Sequence, residues 1–224
     1  MLHYPLYGGI PVRASMAAEP NRFVHARFIL AAASRYAIEE VKLAERSAPD
    51  REKFVFRALP YSFFAVAGLR MALEYAAHEV QETFLPGTER ESTFPICKDL
   101  HSFESVMGSR FPGLKDVHPD VYKALLEMQP FSPNGYPSLG ILNDLWHHSK
   151  HTDLTGTMTH ELELTLDDPN TGKRETIRKY FIAYGDGKPL VELLETCVKD
   201  VDKVISTLED LVGRAPPSTS PSSN

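Results

Sequence analysis

Read for the spacing of its apolar residues, the chain changes period twice. From Arg22 to about Arg46 the spacing is helical, with Asn21 as a natural N-cap, and "SAPD" then breaks it. A second helix is predicted from about Arg51 to Phe84, with a kink or a break at Pro60, which has no N–H to give. "LPGTERESTFP" reads as a loop and residues 100–110 as a short helix. "HPDVYKALLEMQP" is a helix with Pro119 in its first turn and Pro130 beyond its end. After the turn-rich "FSPNGYPS", another helix should start near Ser138 as N-cap and stop before Gly156.

The period then falls to two. Met158, His160, Leu162, Leu164 and Leu166 alternate with polar residues, the mark of a half-buried strand. "DDPNTGK" is a turn and "ETIRKYFIAY" a second strand. The helical period returns from Pro189 to about Leu211, where Leu190, Leu194, Cys197, Val201, Val204, Ile205 and Leu208 form one apolar stripe. The expected fold is α+β and mostly α: a helical bundle with an antiparallel β-hairpin, about 157–184, inserted before the C-terminal helix. One helix-rich domain should occupy 21–212, after an extended segment 1–20 broken by Pro and Gly, and before a Pro- and Ser-rich disordered tail, 213–224.

Composition narrows the function classes. The net charge of −6 argues against a broad non-specific nucleic-acid surface, which needs clustered Lys and Arg, but leaves room for a local basic pocket. Two cysteines, Cys97 and Cys197, are too few for a disulfide framework or a four-thiolate zinc site. They read as reduced thiols of a cytosolic protein. The N-terminus lacks the basic start and unbroken apolar run of a signal peptide, and no stretch is apolar enough to span a membrane. The expected setting is the cytoplasm of a microbe, and a homo-oligomer is compatible with all of this.

Two polar constellations stand out. In "LNDLWHHSKHTDLT", helical geometry puts Leu139, Ile141, Leu142, Leu145 and Trp146 on one face, with Ser149 near its centre. Asp144, His147 and His151 stack opposite, with His148 and Lys150 on the flanks. Two histidines at i, i+4 can share a metal ion, and Asp144 could add a third ligand. His78 or the inward-pointing His160 could complete such a site. A polar face opposite an apolar one is equally what a solvated helix shows. In "AVAGLRMALEYAAHEVQ", Arg70, Glu74, His78 and Gln81 form a polar stripe. It runs between the apolar set Val66, Leu69, Leu73, Ala76, Ala77, Val80 and the set Phe64, Met71, Tyr75. A stripe so flanked should be half-buried. It reads either as an i, i+4 Arg–Glu pair that fixes helix register or as one wall of a pocket.

These segments carry a resemblance. "AGLRMALEYAAHEV", "TFPICKD", "GLKDVHPDVYKALLEMQPF" and "LNDLWHHSKHTDL" occur in the order and spacing of a widespread family of uncharacterised bacterial proteins. That family shows a "GDxLHNLRSALDHLxW" helix, an "FPI" loop, a helix ending in "LQPY" and a helix ending in "NxDKHR". The match runs from roughly Pro60 to Leu154. It aligns Arg70 with the family's Arg, Glu74 with its Asp, Gln129 and Pro130 with its "QP", and Lys150 and His151 with its "KH". Ser149, Thr152 and His147 stand where the family has Asp, Arg and Asn. The resemblance implies a location for a site and not a reaction.

The helical outline also resembles HEPN-type proteins, many of them ribonucleases. Their site places Arg and His four to six residues apart on one helix, for charge stabilisation and proton transfer. Here seven residues separate Arg70 from His78, and Lys150 is the only cation just before His151. An assembled Arg70/Lys150/His151 site stays open.

No nucleophile elbow, phosphate-binding loop or dinucleotide fingerprint is present. Cys97 with His101, and the strand aromatics Tyr180, Phe181 and Tyr184, are weaker candidates for a nucleophile–base pair and for base stacking. Three readings follow. The first is a binding module whose pocket of Arg70, Glu74, His78, Lys150 and His151 takes a small or anionic ligand or a partner segment. The second is a phosphodiester hydrolase with His151 as acid–base and Arg70 or Lys150 stabilising charge. The third is a divalent-metal site of Asp144, His147 and His151.

Overall fold

In the computed structural model the Asn21 side chain accepts a hydrogen bond from the Phe23 backbone at 2.8 Å and opens helix α1 (Arg22–Ala32). The structure describes residues 21–87, 93–150, 157–167, 174–185 and 187–215; the expected extended segment 1–20 and the tail beyond Ala215 lie outside them. Helix α1 continues through a π-helical turn, Ala33–Ile38, into α2 (Glu39–Ser47). The uninterrupted helical period of this stretch therefore conceals a local change of winding.

Asp50 caps α3 (Arg51–Phe84), accepting from the Lys53 backbone at 2.8 Å. Of the kink or break expected at Pro60, the break does not occur: α3 stays helical through it. Pro60 and Phe56 both lie on the solvent side. The Phe56 carbonyl, which loses its N–H partner, can therefore meet water instead of the core.

Helix α3 is the spine of the molecule, with α1, α2, α7 and α8 packed along it. Helix α1 runs antiparallel to it. Near one end the Arg22 backbone donates to Glu79 at 3.2 Å and its guanidinium to Glu82 at 2.8 Å; toward the other, Arg57 meets Glu40 at 2.7 Å. Between these ends Gly68 lets the backbones approach: a Cβ there would lie 3.0 Å from the Cβ of Ala33.

Asp99 caps α4 (Leu100–Arg110), accepting from Ser102 at 2.7 Å. The short α5 (Leu114–Val117) follows, then α6 (Pro119–Glu127) with Pro119 at its first position. Helix α7 (Pro137–Lys150) starts one residue earlier than expected, and Ser138 is not its cap. Ser138 is buried against the last helix, where its hydroxyl donates to Asp200 at 2.7 Å.

Strands β1 (Thr157–Asp167) and β2 (Arg174–Tyr184) form the expected antiparallel hairpin, in a register from Thr157↔Tyr184 to Asp167↔Arg174. A short β3 (Lys188–Pro189) pairs with the end of β2 and leads into α8 (Leu190–Gly213). Every residue of the predicted α8 stripe is fully buried.

The hairpin behaves differently from its pattern. Tyr180 stacks on Phe54 of α3 at 5.9 Å, and Tyr180, Ile182 and Ala183 are buried. Leu162 nevertheless stays 47% exposed, and His160, expected to point inward, is half-buried. In the register His160 and Leu162 pair with Phe181 and Lys179, on the face opposite Tyr180 and Ile182, and it is the Tyr180–Ile182 face that turns to the bundle.

Candidate functional site

The polar stripe of α3 begins with a charge that has been taken out of water. Arg70 is only 5% exposed. Its Nη2 donates to the Phe94 carbonyl at 2.9 Å, and its Nε lies 3.4 Å from Glu74 without forming a hydrogen bond. Nε and Nη1 are buried with no hydrogen-bond partner. A buried guanidinium with idle donors is costly unless something else occupies them.

Arg70 borders an open cleft of about 320 Å³. Arg70 and Glu74 form one wall and the backbone of "TFPIC", Thr93–Cys97, another. Helix α4 contributes Arg110 and Val106, and α7 contributes Asn143, Trp146 and His147. Two guanidinium groups thus face a single described carboxylate, in a protein of net charge −6. Arg110 forms no ion pair among the described residues. Burial pulls the Arg70 pKa down, Glu74 pushes it back up, and Arg110 pulls it down again. Guanidinium basicity is high enough that Arg70 stays charged.

The loop wall is held rigidly. Gln129 is fully buried. Its Nε2 donates to the Pro95 and Leu125 carbonyls, both at 2.9 Å, and its Oε1 accepts from the Cys97 backbone at 3.0 Å. Arg70 from one side and Gln129 from the other therefore fix the "FPI" segment. The turn after α6 depends on Gly135, where a Cβ would collide with the Gln129 carbonyl at 1.8 Å.

A second, smaller cleft of about 250 Å³ adjoins the first and shares Ile96, Cys97 and Asn143 with it. Its remaining walls include Lys98, Phe131 and Asp144.

Several sequence expectations meet here. Arg70 and Glu74 line the main cleft, and α7 reaches it through Asn143 and His147. His78 does not join them. One turn beyond Glu74 it is half-buried, its Nδ1 enclosed without a hydrogen-bond partner and 3.6 Å from Glu82. The proposed metal ligands divide, with His147 on the Arg70 cleft and Asp144 on its neighbour. Among the described residues no three His, Cys, Asp or Glu side chains are grouped to hold a metal ion. His151 lies outside the described residues, and Lys150 ends α7 with its side chain outside them. His160 stacks on Phe181 at 5.2 Å and is not part of the described cleft wall.

Cys97 is no nucleophile partner for His101. Burial and then Asp99 raise its thiol pKa, against Arg110 and Arg70, and His101 is exposed. Tyr180 is a packing residue, not a base platform.

Arg110 and Asn143 went unnoticed in the sequence. Asn143 and His147 do carry a signal, since they stand at i, i+4 and share a helix face. Arg110 has only its place in the last turn of the helix that follows "FPI".

Comparison with protein-family models finds no match, and comparisons with curated proteins and with solved structures find none either.

Proposed function

We propose that the protein is a binding module whose cleft captures the anionic group of a small ligand. One observation carries the reading: Arg70, buried with Nη1 unpartnered and Nε held only by its ion pair with Glu74, lines an open cleft. A carboxylate or phosphate oxygen is the partner that satisfies such a guanidinium, and a second cation, Arg110, shares the opening. Asn143 and His147 supply further hydrogen-bonding groups on the wall formed by α7. The cleft volume lies at the lower end for small-molecule sites, which suits a compact metabolite.

The test is calorimetric titration with inorganic phosphate, pyrophosphate and malonate. At least one should bind saturably, and both Arg70→Met and Arg110→Gln should weaken it by about tenfold or more, the scale of a charge-assisted hydrogen bond. Absence of binding by all three, or binding indifferent to both substitutions, refutes the reading.

A second reading is a phosphodiester hydrolase, favoured by His147 standing beside two arginines on one cleft. Guanidinium groups would stabilise developing phosphate charge, while His147, or His151 with Lys150, moves the proton. Turnover in a nuclease and phosphatase panel that neither His147→Ala nor His151→Ala alters removes both histidines from that mechanism.

A further inference from the structure

The opposite flank of α3 carries the reverse anomaly. Phe56, Pro60, Phe64, Ala67, Met71 and Tyr75 recur every three or four residues. At about 100° per residue they share one face of α3. None is in the core: Phe56 is 85% and Phe64 65% exposed, and Met71 and Tyr75 are exposed as well. No position of the stripe itself is charged, and Arg57 and Glu74 stand at its edges, level with Tyr75 and Phe56. Phe28 of α1 and Tyr36 of the π-helical turn are also exposed, and His25 of α1 meets the Tyr75 ring at 5.8 Å.

At roughly 150–250 Å² per aromatic side chain, the exposed fractions of these rings with Met71 and Pro60 come to several hundred Å². That reaches the top of the ~300–600 Å² range for the largest patch of an ordinary monomer. It also approaches the ~800 Å² that each partner brings to a standard interface.

We infer that this face is the interface of a homodimer in which two copies of α3 lie antiparallel across a two-fold axis between Ala67 and Gly68. The sequence of α3 is self-complementary about that point. Phe64 falls opposite Met71 of the second copy, Pro60 opposite Tyr75, and Lys53 opposite Glu82. Aromatic rings thus meet a thioether and a proline, and the exposed ends of the stripe bring opposite charges together, with Glu82 already meeting Arg22 at 2.8 Å and Lys53 lying 3.5 Å from Asp50 within each protomer. Ala67, the smallest residue of the stripe, sits where the helices cross, the place where a small side chain allows close approach. A two-fold axis makes the same patch serve both subunits, as in most soluble oligomers.

The experiment uses the full chain. Sedimentation at about 100 μM should show a dimer, and Phe64→Glu, a change at an exposed position, should give a monomer with unchanged circular dichroism. Ala67→Cys should cross-link to a covalent dimer with a short bis-maleimide, because the axis places the two copies of this position side by side. Native Cys97 and Cys197 are both buried and do not compete. Lys53→Glu and Glu82→Lys should each weaken the dimer by about twofold to fivefold, and the pair combined should restore it. A monomeric wild type, a dimer indifferent to Phe64→Glu, or an Ala67→Cys dimer that does not cross-link overturns the arrangement. A monomer would leave the face for another segment or partner to cover.

Discussion

The two flanks of α3 break the rule of apolar inside and polar outside in opposite directions. On one flank a guanidinium is buried with idle donors; on the other, phenyl and phenol rings stand in water. Isolated exposed apolar residues are ordinary, but a contiguous stripe is informative, and so is a buried charge without full pairing. The flanks differ in the partner each asks for. Idle donors ask for a small anion of defined geometry, whereas exposed rings ask for area. The cleft is also held by a directional network, while the stripe needs only a straight helix.

That contrast can be broken experimentally, beginning with the network. Gly135→Ala should destabilise the protein by about 3 kcal/mol or more in urea titration, because a Cβ there would overlap the Gln129 carbonyl and disturb the clamp on "FPI". A change below ~1 kcal/mol would show that the turn gives way easily.

Arg70→Met should separate binding from stability. Removing a buried charge offsets the lost hydrogen bond to Phe94, so unfolding free energy should stay within about 1.5 kcal/mol of wild type while anion binding weakens by about tenfold or more. A large destabilisation would make Arg70 a register-setting residue and not a ligand-binding one.

Glu45 on α2 is a second polar group in the wrong solvent, and it sharpens the comparison because it borders no described cleft. One carboxylate oxygen is buried without a partner. Burial first, and Glu192 after it, push its pKa to about 7 against the pull of Arg46 and Lys42. The folded state then holds a proton that the unfolded state has released, so stability falls as pH rises from about 4.5 to about 7. Glu45→Gln should be more stable than wild type by about 1–2 kcal/mol at pH 8, after allowance for solvent, and equal to it near pH 4.5. Parallel thermal melts at the two pH values decide this. The smallest effect belongs to the stripe: Phe56→Ser should change protomer stability by no more than about 0.5 kcal/mol, since that ring supports no core contact worth keeping.

How far the sequence spoke depended on whether a feature was periodic. The α8 stripe, the Asn21 cap and the hairpin were legible because local spacing encodes them. The approach of Arg70 to the "FPI" carbonyl was not, because it joins residues far apart in the chain through a loop without period. Gln129 stood out only through the family resemblance, and its bonds give it a structural role. Ser138 misled because cap-forming side chains also serve tertiary contacts, here with Asp200. The Phe64, Met71 and Tyr75 set was read as a second apolar face, and nothing in periodicity separates a face that meets a core from one that meets solvent.

The close pass of Gly68 and Ala33 has a consequence for the history of the chain. The two positions share one small volume between helices, and a methyl group is nearly all it holds. An alanine arriving at 68 would press on Ala33 unless a glycine arose there or the helices drifted apart. Relatives of this protein should therefore carry the pair as a trade, with mass appearing on one helix only where it has vanished from the other.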